Sequence, residues 1–280
     1  MKSATQHHLN SSTKVGNITI LPMIMLVSLL FSCNEKKEEV PAMFEVLGSK
    51  TTGIDFTNKL TATPQFNMFK YMYFYNGAGV GVGDFNNDGM IDVFFSSNQG
   101  ENKIYLNEGG MKFKDVTKEA RIPQDGGWST GVSVVDINND GLLDIYVCRV
   151  GNYETLKSKN QFLICKGKDA NGVPYYEDEA VKLGLAFSGF GTQAAFFDYD
   201  LDGDLDFFLM NHSLRFNGTF NERSSYLKTF DTLAADYLFR NDDGKFVDVS
   251  ASSGINRSII GYGLGLSVAD INLDGYPDLY

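Results

Sequence analysis

Short apolar stretches come in pairs along this chain, each pair divided by a polar turn. Val80-Gly81-Val82-Gly83 precedes the first turn and Val93-Phe94-Phe95 follows it. Val132-Ser133-Val134-Val135 and Ile145-Tyr146-Val147 flank the second, and Ala194-Ala195-Phe196-Phe197 and Phe207-Phe208-Leu209 the third. Runs of three or four apolar or alternating residues, rich in Val, Ile and Phe, have strand length and lack a helical period. Further on, Lys103-Ile104-Tyr105-Leu106 predicts a third strand, residues 107–110 a turn and residues 111–114 a fourth strand. Residues 237–240, 241–244 and 245–247 repeat that arrangement. Four short antiparallel strands repeated in tandem predict an all-β protein, a β-propeller with four-stranded blades.

The dividing turns share one nine-residue pattern, Asp-x-(Asn/Asp)-x-Asp-Gly-x-x-Asp, starting at Asp84, Asp136, Asp198 and Asp270. Alternate side chains at positions 1, 3 and 5 converge, the glycine at 6 permits a sharp bend, and the carbonyl at 7 and carboxylate at 9 close an oxygen cage of the kind Ca²⁺ prefers. The candidate ligands are Asp84, Asn86, Asp88, Met90 (carbonyl) and Asp92; Asp136, Asn138, Asp140, Leu142 (carbonyl) and Asp144; Asp198, Asp200, Asp202, Asp204 (carbonyl) and Asp206; and Asp270, Asn272, Asp274, Tyr276 (carbonyl) and Asp278. Up to four structural Ca²⁺ sites are therefore expected, with Mg²⁺ disfavoured by the many protein ligands offered. The turns join strands and lack a glutamate at position 12, so they are not EF-hands. The third carries aspartate where the others carry asparagine, and is expected to fill first.

These turns, with Gly127-Trp128, Gly189-Phe190 and Gly261-Tyr262 eight residues before three of them, resemble the FG-GAP/VCBS repeats of calcium-loop propellers such as integrin α subunits. The first repeat departs, with Tyr75-Asn76 at that place. The chain more closely resembles bacterial lipoproteins whose propeller carries a C-terminal ASPIC/UnbV segment, and its end inside a fourth repeat reads as that of an N-terminal fragment, an incomplete propeller. With the third strands aligned at Tyr105, Leu163 and Phe239, nearly all the added length along the chain falls between strands two and three of each repeat. That connection leaves the blade on the face opposite the acidic turns, as a binding surface built on a rigid scaffold would.

Thirty-five acidic residues against 24 basic ones give a net charge of −11, concentrated in the turns, and exclude the basic patch that nucleic acid requires. Twenty-nine glycines with only 6 prolines suit many tight turns. Residues 1–33 read as a signal peptide whose apolar run is too short to span a bilayer. It ends in Leu30-Phe31-Ser32-Cys33, which resembles a lipobox and implies lipidation of Cys33. Residues 34–50 form a charged tether, and its Lys-Glu-Glu run resembles surface-export signals. The repeats occupy residues 51–280. The implied location is the outer membrane, lipid-anchored and facing the cell surface, with the periplasmic face as the alternative. The expected partner is a glycan, a peptide or an outer-membrane protein.

Trp128, His212, Arg215, Arg223 and Tyr226 are the candidates for a ligand-binding face. A His/Tyr/Arg cluster could abstract a proton, so a propeller lyase or hydrolase centred on His212 is the catalytic alternative. No residue is assigned a catalytic role at this stage. Residues 69–75, dense in Tyr and Phe, read as core between blades. Gly79-Val80-Gly81-Val82-Gly83 leads into a metal turn and not a helix, so it is no dinucleotide loop. Cys148 and Cys165 fall out of register in their hairpin, and both are expected to remain buried thiols.

Overall fold

Each predicted quartet of strands folds as one antiparallel sheet. The first contains β1 (Val80–Gly83), β2 (Asp92–Phe95), β3 (Lys103–Asn107) and β4 (Phe113–Asp115), in chain order across the sheet. The second contains β5 (Trp128–Val135), β6 (Asp144–Val150), β7 (Gln161–Lys168) and β8 (Pro174–Asp178), and the third β9 (Gly191–Phe197), β10 (Asp206–Asn211), β11 (Tyr237–Asp242) and β12 (Lys245–Asp248), both likewise in chain order. A two-stranded hairpin, β13 (Val268–Ala269) and β14 (Asp278–Leu279), brackets the fourth acidic turn. The computed structural model describes residues 43–213 and 222–280, and Leu47–Tyr280 forms one compact unit. Among the described residues helix is confined to single turns, such as Ser49–Thr52 and Met72–Tyr75. The architecture is that of propeller blades.

Side chains along the middle strands face alternate neighbours because each sheet is sandwiched. Ile145 and Val147 of β6 join a cluster with Phe94 and Ile104 of the first sheet, whereas Tyr146 and Cys148 face Phe207 and Leu209 of the third. All seven residues of β6 are buried as a result, and residues 145–148 read as a continuous apolar run. The same alternation places Cys165 in the first cluster and Cys148 in the second, on opposite faces of one sheet. Both are free thiols, and the opposed faces forbid a bridge more firmly than register does.

The alternating glycines before the first turn have a packing role. A Cβ on Gly79 would lie 2.6 Å from the Thr130 carbonyl oxygen, and one on Gly81 would lie 2.9 Å from Val132 Cγ1. Bare backbone there lets β1 lie against β5 where the innermost strands crowd together. β5 in turn packs on β9. Ser133 Oγ donates to the Ala194 carbonyl (2.7 Å), and Gln193 Nε2 donates to the Val132 carbonyl (3.2 Å), stitching these two strands.

The third-strand alignment holds: Val93 pairs with Tyr105, Ile145 with Leu163 and Phe207 with Phe239. One boundary moved. The fourth strand of the first sheet starts at Phe113, not at residue 111, because Met111 takes a left-handed conformation (φ 61°) and the turn closes through the Glu108 N–H on the Lys112 carbonyl.

A further repeat-wide device precedes each third strand. Asn102 Oδ1 accepts the Ser97 N–H (2.9 Å), Asn160 Oδ1 the Arg149 N–H (2.7 Å) and Asp236 Oδ1 the Asn211 N–H (2.7 Å), each tying the end of strand two to the start of strand three. Burial raises the Asp236 carboxyl to about 6, above its usual range. A raised folded-state value means the ionised form opposes folding, so this group's contribution is lost as pH climbs through about 6 and regained toward 3.8. Asp236→Asn keeps the accepting oxygen, matches the other two repeats and removes the charge. The variant is expected to gain about 1–2 kcal/mol at pH 7.5 by urea denaturation. The gain should shrink toward pH 4; an equal gain at both pH values would show that the charge is not its source.

Candidate functional site

The acidic turns are built alike from local hydrogen bonds. In the first, Asp84 accepts the Asp88 and Gly89 N–H groups (2.9 and 2.8 Å), and Asp88 Oδ1 accepts the Met90 N–H (2.8 Å). Asp136, Asp198 and Asp270 repeat the position-1 role. Asp140, Asp202 and Asp274 repeat the position-5 role. Position 4 is left-handed in all four turns, at Asn87, Asn139, Leu201 and Leu273. Asparagine tolerates that conformation and leucine does not, so the third and fourth turns carry local strain.

The carboxylate at position 9 does more than line the turn. Asp92, Asp144 and Asp206 are fully buried. In each, one oxygen accepts the N–H of position 2 (Phe85, Ile137 and Tyr199; 2.9, 3.1 and 2.8 Å). The other accepts an N–H from the third strand (Asn107, Cys165 and Asn241; 2.7, 2.8 and 2.8 Å). One side chain thus joins the turn to the strand beyond it. Burial lifts all three carboxyls to about 6, against the opposing pull of those two donors. Asp278 receives the corresponding Ile271 N–H at 2.9 Å.

The turns differ at position 3. Asn86, Asn138 and Asn272 each donate their amide to the aspartate at position 5 (2.9, 3.0 and 2.9 Å), balancing its charge inside the turn. The third turn has Asp200 there. Asp198, Asp200 and Asp206 then offer carboxylate oxygens within 4.8 Å of one another. An all-oxygen set at that spacing suits a hard divalent cation and not zinc or copper. Among the described residues this cluster could hold a metal, and it is the turn that the sequence singles out. Asp202, expected to belong to it, is not one of the three converging groups and caps the Asp204 N–H instead. Asp204 Oδ2 accepts the Asp243 N–H at 3.3 Å, linking the third turn to the β11–β12 turn.

The candidates for a ligand face separate. Trp128 is buried, packed edge-on against Phe66 and Tyr71 (ring centroids 4.9 and 5.6 Å), and does not line the cavity that holds His212. It opens β5 on the side of the cluster formed by Tyr71, Phe74 and Phe190, as its shared repeat position with Phe190 implies. Tyr262, at the same place in the fourth repeat, is 41 % exposed. The aromatic stretch splits, with Tyr71, Tyr73 and Phe74 in the core and Phe69 and Tyr75 on the surface. Tyr226 lies half-buried in the turn after the 3-10 segment Arg223–Ser225, and does not line the cavity that holds His212. Arg215, Cys33, the rest of residues 1–42 and the side chain of Arg223 fall outside the described residues.

His212 stands just past β10, 2 % exposed, in a cavity of about 420 Å³. Tyr71, Tyr73, Asn76, Thr192 and Gln193 also line it. Burial lowers the imidazole to about 3, so it is neutral at physiological pH. Its Nδ1 lies 3.1 Å from Thr192 Oγ1, and its ring lies 4.1 Å from that of Tyr73. The spacing of motifs in the sequence points to His212 only as the sole histidine outside the leader. Its meeting with residues 71–79 is a long-range contact that no local pattern encodes.

Four-stranded antiparallel sheets, each with an Asp-rich turn between its first two strands, define a repeat protein with propeller-type blades. Residues 84–147 match the FG-GAP-like repeat family. Part of the chain is similar to cartilage acidic protein 1, being 28% identical over 138 residues to the Homo sapiens protein (48% of this chain, 20% of that one) and 26% identical over 140 residues to the Xenopus tropicalis protein (49% and 21%). The chain therefore matches about a fifth of the length of these relatives.

Proposed function

We propose that this chain is the exported, lipid-anchored propeller portion of a surface binding protein, stabilised by Ca²⁺ at its acidic turns. It captures a glycan, a peptide or an outer-membrane partner on the face opposite those turns. The observation that carries this reading is topological. The turns join strands one and two, so the chain leaves each second strand and enters each third strand at the other end of the blades, through connections of residues 96–102, 151–160 and 212–236. These connections lengthen from sheet to sheet while the strand pairing stays in register. Variation confined to one face of a fixed scaffold is how binding surfaces are made. The cavity around His212 lies at that same end, beside the starts of β5 and β9.

A lyase or hydrolase would need a charged partner near His212 to complete acid–base chemistry. None of the described residues lining its cavity is an acid, a lysine or an arginine, which favours binding over turnover. The anchoring half of the proposal is tested by Cys33→Ala in the native host. The variant is expected to move from the detergent phase to the aqueous phase in a Triton X-114 partition, and to lose protease accessibility on intact cells. A wild-type protein already found in the aqueous phase would remove the lipid anchor from the proposal.

A further inference from the structure

We infer that the cavity around His212 is a binding site for a neutral sugar residue, set where the innermost strands begin. The inference rests on the binding reading of this face, and not on the lipid anchor or on calcium.

The position follows from the topology. Since each acidic turn lies at the end of a first strand, the starts of β5 and β9 and the end of β10 lie at the opposite rim. Thr130 and Gly131 from β5, Thr192 and Gln193 from β9, and His212 beyond β10 meet there, with residues 76–79 entering β1. Two register breaks coincide at this place. Pairing of β5 with β6 shifts between Ser129 and Val132, and pairing of β10 with β9 shifts between Met210 and Asn211. On the first strands the residues skipped are Thr130 and Gly131 in β5 and Thr192 in β9. Such bulges re-aim side chains away from the ladder, and they concentrate beside functional sites.

The chemistry of the lining is neutral and amphipathic. Tyr71, Tyr73 and His212 form a mostly buried aromatic back wall, with Tyr71 and His212 at 5.5 Å and Tyr73 and His212 at 4.1 Å between centroids. Asn76, Thr192 and Gln193 supply amide and hydroxyl groups around them. Two polar atoms in this wall, Tyr71 Oη and His212 Nε2, are buried without a hydrogen-bond partner among the described residues. Buried polar atoms are nearly always paired, and one left unpaired costs about 1–3 kcal/mol. Two such atoms in one cavity wall call for a partner from outside the protein, an ordered water or a ligand hydroxyl that takes its place. His212 Nδ1 is already engaged by Thr192, which fixes the ring and commits Nε2 to the remaining hydrogen bond.

A pyranose offers what this wall lacks: a C–H face for the rings and hydroxyls that both donate and accept. With no charged side chain among the described lining, the cavity gives a carboxylate, phosphate or ammonium group no counter-ion. Its volume of about 420 Å³ falls within the ~300–1,000 Å³ of small-molecule sites. An extended peptide would need an open sheet edge or a long groove, whereas this cavity gathers short segments from three strand ends.

The single tryptophan of the chain makes the test direct. Trp128 contacts Tyr71 edge-on, so occupancy of the cavity should alter its emission. The full chain is titrated with maltotriose, cellotriose, xylotriose and mannotriose, and in parallel with trigalacturonate and chitosan trimer. At least one neutral trisaccharide is expected to give a saturable change, and neither charged trimer should. By calorimetry, Tyr71→Phe should weaken that sugar about three- to tenfold while leaving the melting temperature equal or higher, because it removes an unpaired hydroxyl and keeps the ring. Leu264→Trp, at an exposed position on the rim, should block binding without unfolding the protein. The inference is overturned if no neutral probe binds, if a charged trimer binds as tightly as the best neutral one, or if both variants bind like the parent. Charged binding would leave the broader binding function intact and remove only the neutral-sugar assignment.

Discussion

Asp144→Ala is expected to destabilise the protein by about 3–5 kcal/mol, more than any removal of a surface carboxylate. Asp144 is fully buried and accepts two backbone donors, the N–H groups of Ile137 at 3.1 Å and Cys165 at 2.8 Å. Alanine leaves both donors unpaired beside a small void, and each orphaned group costs about 1–3 kcal/mol. Asp144→Asn retains one accepting oxygen and turns an amide toward the other donor, so its cost should be about half. Both variants would be measured by guanidinium unfolding in excess chelator, where no ion contributes. Equal stability of Asp144→Ala and wild type under those conditions would mean that the turn-to-strand tie carries no energy. The loss should fall chiefly on the second sheet, and hydrogen exchange at Cys165 would report it locally.

Calcium should produce the second large effect. For each site filled in the folded state only, linkage adds RT ln(1 + [Ca²⁺]/Kd). With the ~10⁻⁴–10⁻³ M affinities of extracellular modules, about 10 mM Ca²⁺ contributes roughly 1.4–2.7 kcal/mol per site. Against excess EGTA, a melting-temperature rise of about 5–10 °C is expected if only the strongest sites fill. Equimolar Mg²⁺ should give less, because it demands octahedral geometry and keeps its waters. The third turn should dominate, since Asp198, Asp200 and Asp206 converge there without the amide that balances the other three turns. Asp200→Asn copies position 3 of the other turns and should weaken the tightest site about tenfold, seen by calorimetric titration. An EGTA-treated protein that melts where the calcium-loaded one does would end the proposal of a structural ion.

Repulsion and pairing explain this ranking together. Carboxylates a few ångströms apart repel one another by ~3–4 kcal/mol per pair at an effective dielectric near 20. In the first, second and fourth turns, Asn86, Asn138 and Asn272 relieve part of that load by donating to the position-5 aspartate. In the third turn that internal relief is missing at position 3, so a cation gains more by entering.

The blades and their turns were legible in the sequence because their determinants are local. Strand-length apolar runs, a glycine at the bend and aspartates at fixed offsets act within nine residues, and the pairing of Val93 with Tyr105 and Ile145 with Leu163 follows once the repeats are laid over one another. The converging carboxylates of the third turn were legible for the same reason. Other features belong to the tertiary structure, since they depend on residues far apart in the chain. Only packing showed that the glycines at 79 and 81 let β1 close on β5, that Cys148 and Cys165 face opposite neighbours, and that Trp128 is sealed behind Tyr71 and Phe66. The second bond of each position-9 aspartate reaches a strand 15 residues on at Asn107, 21 at Cys165 and 35 at Asn241. The cavity wall joins Tyr71 and Tyr73 to His212, across two intervening blades. A repeat encodes its own sheet through short-range periodicity, whereas what the sheets enclose is decided by which faces meet, and that is set by the summed packing of all of them.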